Sequence, residues 1–108
     1  MRHSHVLGKV NGCTITRAGD LRQKMLEVAK RCAFNVRAQT FVQFEPEGAT
    51  GVLVLAESHF SAHTFHEEGC VRVDVYCCSE AFNPLQCMQT IEDVFEAKKT
   101  CEWRLVSR

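Results

Sequence analysis

The chain has 108 residues, enough for one domain with a modest core and too few for two independent ones. Its 13 basic and 13 acidic residues cancel, and no segment gathers Lys and Arg into a run that could follow a phosphate backbone, so nucleic acid is not an expected partner. No apolar stretch reaches the roughly 18 to 20 residues of a spanning helix, and Met-Arg-His-Ser-His leads into no signal-peptide core, so a cytoplasmic protein with no membrane partner is expected.

Seven cysteines are many for this length, but the number is odd and there is no Cys-x-x-Cys pair to nucleate a structural zinc site. Reduced thiols are expected, most of them acting as small buried hydrophobes, and no metal.

Residues 5–11 read as a first strand that ends at the turn signal Asn11-Gly12. From Asp20, Leu21, Met25, Val28, Ala29 and Cys32 recur at helical spacing, with Arg22, Lys24, Glu27, Lys30 and Arg31 opposite, and Asp20 and Gln23 fit a capping box. Val36 to Phe44 alternates as a half-buried strand before Glu45-Pro46-Glu47-Gly48 breaks it. Val52-Leu53-Val54-Leu55 is a continuous apolar run, suited to a central strand buried on both faces.

Ser61 to Phe65 continues as extended chain up to a turn at Glu67-Glu68-Gly69. In the next strand Val71, Val73, Val75 and Cys77 face one way, while Cys70, Arg72, Asp74, Tyr76 and Cys78, too polar for a core, line solvent or a site. Asn83 and Pro84 supply an N-cap and a first helical position for a second helix with the stripe Leu85, Met88, Ile91 and Phe95. Lys98 and Lys99 are expected to complement its C-terminal dipole, and Cys101 to Leu105 to form a closing strand. This order gives a single α+β domain over residues 1–108, a two-layer sandwich of a mainly antiparallel sheet with two helices on one face.

Between the apolar run and the alternating strand lies Leu55-Ala56-Glu57-Ser58-His59-Phe60-Ser61-Ala62-His63, which crowds hydroxyls, imidazoles and a carboxylate into a few residues. Each buried polar group there needs a partner or costs about 1 to 3 kcal/mol, so chemistry is a better reading than core. There is no Gly-x-Ser-x-Gly elbow to make Ser58 a hydrolase nucleophile. An extended chain does not present His59, His63 and His66 as a helical metal pair.

With Val73-Asp74-Val75-Tyr76-Cys77-Cys78 and Phe44-Glu45-Pro46-Glu47-Gly48-Ala49-Thr50-Gly51, this stretch resembles the prokaryotic type of S-adenosylmethionine decarboxylase proenzyme, a self-processing pyruvoyl-dependent family. The likeness runs over nearly the whole chain. It implies autocatalytic cleavage between Glu57 and Ser58, giving a β chain of residues 1–57 and an α chain of residues 58–108 that begins with a pyruvoyl group made from Ser58. That cofactor would hold the substrate's amino group as a Schiff base and act as the electron sink for decarboxylation.

The same resemblance makes His63 and, more weakly, Thr50 processing groups, Cys78 the proton donor, and Phe44, Phe65 and Glu67 substrate-binding residues. The small-molecule substrate it implies is S-adenosylmethionine, decarboxylated for spermidine and other polyamine synthesis by a homodimer of processed protomers.

Two departures stand out: Thr50 replaces a serine, and Phe65-His66-Glu67-Glu68-Gly69-Cys70 stands where the family usually reads Trp-Pro-Glu-Tyr-Gly-Tyr. They keep two alternatives open. One is a pyruvoyl-dependent decarboxylase of arginine or ornithine, and the other is an uncleaved, inactive regulatory homologue.

Overall fold

The computed structural model describes residues 3–108, so Met1 and Arg2 of the N-terminal reading lie outside the described residues. The chain runs β1 (Ser4–Asn11), α1 (Ala18–Arg31), β2 (Val36–Gln43), β3 (Ala49–Leu55), β4 (Ser58–Phe65), a 3-10 turn (His66–Glu68), β5 (Cys70–Cys77), α2 (Pro84–Val94) and β6 (Glu102–Ser107). Among the described residues the strands form one six-stranded sheet, ordered β2-β3-β4-β5-β1-β6, and every neighbouring pair is antiparallel. With both helices packed into the same core, this is the expected α+β sandwich.

Register sorts the side chains by the two-residue period of the strands. Val6 and Val10 of β1 pair with Val75 and Val71 of β5, and Phe60 and Ala62 of β4 sit opposite Val75 and Val73. These residues are buried with Leu53 and Leu55 of β3, Leu21, Met25 and Val28 of α1, and Cys87, Ile91 and Phe95 on and just after α2. Each large apolar side chain so buried contributes about 1.5 to 3 kcal/mol. The alternate positions, among them His5, His59, Ser61, His63, Arg72, Asp74 and Tyr76, share the other face, which no helix covers.

Four sequence expectations are corrected. The Val52 to Leu55 run is not buried on both faces: Leu53 and Leu55 are in the core, whereas Val54 is 47% exposed on the uncovered side. Leu85 is 71% exposed, and Cys87 takes its place beside Ile91, because Leu85 lies about a third of a turn away from Ile91 around the helix.

Helix α1 starts at Ala18, earlier than Asp20, and no side chain caps it from its own N-terminal residue. Its cap comes from β2 instead: Gln43 Oε1 accepts from Ala18 N at 2.6 Å, while Gln43 Nε2 donates to the carbonyls of Thr16, Phe44 and Gly48. Lys98 and Lys99 lie beyond the end of α2, whose last turn holds no basic residue, and the Val94 carbonyl is met by Lys24 Nζ of α1 at 3.2 Å. Asn83 does cap α2, its Oδ1 accepting from Gln86 N at 3.1 Å.

Gln43 therefore ties the edge strand to the helix start and to the loop before β3 with one side chain. Replacing it with leucine leaves those backbone groups without partners; Gln43→Leu is expected to lower stability by about 2 kcal/mol, read as a shift of the urea midpoint at unchanged slope.

Candidate active site

Ala56 and Glu57 are the two residues that turn β3 into β4, with Leu55 paired to Ser58 across the hairpin. Such a turn normally takes Asn or Gly, which accept positive φ. Here neither turn residue is glycine or has positive φ, and the unusual torsion falls on Ser58, at φ +152°. A side-chain-bearing residue held there carries strain of about 1 to 3 kcal/mol and needs its surroundings to fix it.

Those surroundings come from two directions. The α1–β2 connection clamps the turn through Asn35, whose carbonyl accepts from Ala56 N at 2.8 Å and whose N–H donates to Glu57 Oε1 at 3.1 Å. On the other side β5 runs on into Cys78. Its backbone N–H and its thiol both donate to the Glu57 carbonyl oxygen, each at 3.1 Å. One carbonyl thus faces two donors from one residue, the arrangement that stabilises negative charge developing on oxygen.

Ser58 Oγ lies 3.4 Å from His59 Nδ1. His59 Nε2 stands 3.6 Å from Asp74 Oδ1, and His5 Nε2 contacts the same oxygen at 2.6 Å. These three side chains form the one group among the described residues close enough to share a cation, their donor atoms lying within 4.8 Å of one another. The 2.6 Å contact is nevertheless a hydrogen bond: two ligands at about 2.1 Å from a tetrahedral ion would stand more than about 3 Å apart.

The other residues singled out from sequence gather elsewhere. His63 Nδ1 and Thr50 Oγ1 are 2.9 Å apart, paired across β3 and β4, and Arg72 is the partner of His63 on β5. Phe44, 51% exposed, follows β2 at the same end, and the Phe65 ring there carries the Arg72 guanidinium at 5.7 Å. Glu67, in the 3-10 turn, faces solvent and meets His66 Nε2 at 3.2 Å.

His63 is five residues along β4 from Ser58, about 16 Å in an extended strand. One chain therefore brings together Glu57, Ser58 and Cys78 at one end of the β3–β4 ladder, and Phe44, Thr50, His63, Phe65 and Glu67 at the other. A cavity of about 260 Å³, lined by Phe34, Glu57, Cys77 and Phe82 among others, adjoins the first set. A shallower one of about 470 Å³ on the uncovered face includes His63, Arg72 and Asp74.

Sequence reasoning missed Asn35 and gave no role to His5. Asn35 has no pattern to betray it. His5 sits on the polar parity of β1, opposite Tyr76 of the set already marked as lining solvent or a site, and that parity was the available signal.

The site thus consists of a strained serine after a two-residue turn whose carbonyl faces two donors, on an antiparallel sheet backed by two helices. Residues 4–108 match the family model described as S-adenosylmethionine decarboxylase. The S-adenosylmethionine decarboxylase proenzyme of Pyrococcus horikoshii is 38% identical over 97 residues, which is 87% of this chain and 70% of that protein. The proenzyme of Symbiobacterium thermophilum is 48% identical over 64 residues, 59% of this chain and 48% of that one. The crystal structure of the adenosylmethionine decarboxylase from Aquifex aeolicus VF5 superposes with a TM-score of 0.87 at 31% identity, covering 99% of this chain and 90% of that one. This chain belongs to the S-adenosylmethionine decarboxylase family.

All seven cysteines are free, and their environments differ. Burial pushes the thiols of Cys13, Cys77 and Cys101 up. Cys32 is held below the ordinary thiol value by the hydrogen bond from Cys87, which is itself driven up by that pairing. A lowered value means more thiolate at a given pH, so a brief iodoacetamide pulse at neutral pH is expected to label Cys32 ahead of Cys13, Cys77, Cys87 and Cys101, as peptide mass mapping would show.

Proposed function

We propose that the chain is a proenzyme that cuts itself between Glu57 and Ser58 and then, as a homodimer of processed protomers, decarboxylates S-adenosylmethionine to the aminopropyl donor of polyamine synthesis. The observation that carries this is the pair of Cys78 donors on the Glu57 carbonyl beside a strained Ser58.

Attack of the Ser58 hydroxyl on the Glu57 carbonyl carbon puts negative charge on the oxygen already held by Cys78, and removing one such donor typically costs about 10²- to 10³-fold in rate. Breakage of the C–N bond leaves an ester between residues 57 and 58 and releases the torsion at Ser58. Removal of the Ser58 α-proton then expels Glu57 as a carboxylate, and water replaces the nitrogen, which leaves as ammonia. The products are a β chain of residues 1–57 and an α chain of residues 58–108.

The site fits the pyruvoyl group expected at position 58: the peptide bond that must break is the one the turn isolates, and the Cys78 thiol adjoins it. Once formed, that group supplies a carbonyl for the substrate's amino group and a sink for the electrons that carbon dioxide leaves behind. The chain's own residues do the rest. Freed from the departed carbonyl, the Cys78 thiol returns a proton to the substrate carbon, the exposed Phe44 ring offers a face for adenine, and the Glu67 carboxylate accepts from ribose hydroxyls.

These binding groups, and the processing pair Thr50 and His63, lie about 16 Å along the ladder from Ser58. A two-fold pairing of uncovered sheet faces brings one protomer's His63 end to its partner's Ser58. That face carries exposed Val42 and Val54 beside its polar residues, apolar area that pairing removes from water.

Denaturing mass spectrometry of wild type is expected to show two fragments, the second beginning with a keto group, and of Ser58→Ala one full-length chain. Carbon dioxide is expected from carboxyl-labelled S-adenosylmethionine; release from arginine or ornithine alone would overturn the substrate.

Co-expression tests the shared site. Ser58→Ala and His63→Ala chains, each defective alone, are expected to regain cleavage when mixed, confined to the His63→Ala chain, because one of the two sites is then intact. No recovery in a confirmed heterodimer would place both groups in one protomer's chemistry.

A further inference from the structure

We propose that His59 is the base that takes the Ser58 hydroxyl proton in the first step of self-cleavage, with Asp74 and His5 as the residues that position it. This rests on the self-cleavage reading, in which the partner's His63 acts on the ester that this first step forms, and adds to it the imidazole that the chain's own β4 places at Ser58.

Four observations support the assignment. His59 Nδ1 is 3.4 Å from Ser58 Oγ, and catalytic contacts of this kind are commonly long before the reacting geometry forms. Its other nitrogen lies 3.6 Å from Asp74 Oδ1; in the proposed arrangement Nε2, beside that carboxylate, carries the ring proton and the Nδ1 lone pair faces the hydroxyl. His5 holds that carboxylate at 2.6 Å from the far side.

Register explains why the three meet: His59 on β4 and His5 on β1 are both partners of Tyr76 on β5, which lies between them, and Asp74 is two residues along the same strand face. The three rings pack together, His59 and His5 against Tyr76 with centroids 5.9 and 5.6 Å away and edge-on to each other at 6.5 Å, and the Tyr76 hydroxyl is tied to His3 Nδ1 at 2.7 Å.

The other groups around Ser58 are committed. The Cys78 thiol donates to the Glu57 oxygen, and the Glu57 carboxylate accepts from Asn35 N.

The step balances without an added reagent. As the Oγ–carbon bond forms, the hydroxyl proton passes to His59 Nδ1; as the carbon–nitrogen bond breaks, that proton passes to the Ser58 nitrogen, leaving an ester and a free amine. His59 ends as it began. Asp74 and His5 touch neither reacting atom and act by fixing the tautomer and aim of the ring.

The test follows cleavage of the full chain after cell-free synthesis by denaturing mass spectrometry. His59→Ala is expected to slow cleavage by about 10²-fold or more, with imidazole in the buffer restoring part of the rate. The uncut chain is expected to resist hydroxylamine, which cleaves esters, whereas His63→Ala accumulates a hydroxylamine-sensitive chain. Asp74→Asn is expected to be slowed less and to gain nothing from imidazole.

His59→Gln, close in size, serves if the alanine variant does not fold, as judged by circular dichroism. Cleavage of folded His59→Ala or His59→Gln at the wild-type rate overturns the proposal, and so does hydroxylamine-sensitive accumulation in either variant. A wild-type chain that never cleaves overturns the self-cleavage reading itself, a result distinct from both.

Discussion

The grip of Cys78 on the Glu57 carbonyl is the contact on which the rest of the site depends. It requires β5 to extend past its last ladder pair, Cys77 with Ser4 and Ser58, so that the next residue reaches over the hairpin turn. It also requires a turn short enough to hold that carbonyl still, and Asn35 clamps the turn from the helical layer. A two-residue turn without glycine transfers its awkward torsion to Ser58, where strands on either side prevent relaxation. The strained torsion and the two donors thus fall on the two sides of the same peptide bond, where the proposed cleavage would draw on both.

The sheet is asymmetric. One face is sealed by two helices and filled with aliphatic side chains, and it supplies the stability; the other carries imidazoles, carboxylates and a guanidinium, arranged by nothing more than strand alternation. Such groups could not have occupied the sealed face without partners for each of them. The uncovered face distributes its chemistry over both ends of the β3–β4 ladder, the two ends that the proposed pairing of protomers would bring together.

The fold was legible where periodicity was strong. Alternation in β5 separated Val71, Val73 and Val75 from Arg72, Asp74 and Tyr76 correctly, but Cys70, which shares the parity of the second set, is fully buried rather than lining solvent or a site. It was less legible at β3, where four consecutive apolar residues hid the fact that Val54 points away from the helices. Helix ends were misread because their partners are remote in sequence: Gln43 caps α1 from 25 residues away, and Lys24 reaches the end of α2 across the helical layer.

Of the candidate site, the Glu57-Ser58 junction and Cys78 could be picked out from family likeness. Of the surrounding imidazole–carboxylate line, parity could mark His5 only as facing the polar side, since His5 is 69 residues from Asp74 and only pairing makes them neighbours.

The strand order has one more consequence. A cut after residue 57 would leave β1, β2 and β3 in one fragment and β4, β5 and β6 in the other, yet β1 lies between β5 and β6. The two pieces are braided through a common sheet, so severing the backbone would not let them drift apart without tearing hydrogen-bonded ladders. Their unfolding would turn from a one-body into a two-body event, more sensitive to dilution than that of the uncut precursor.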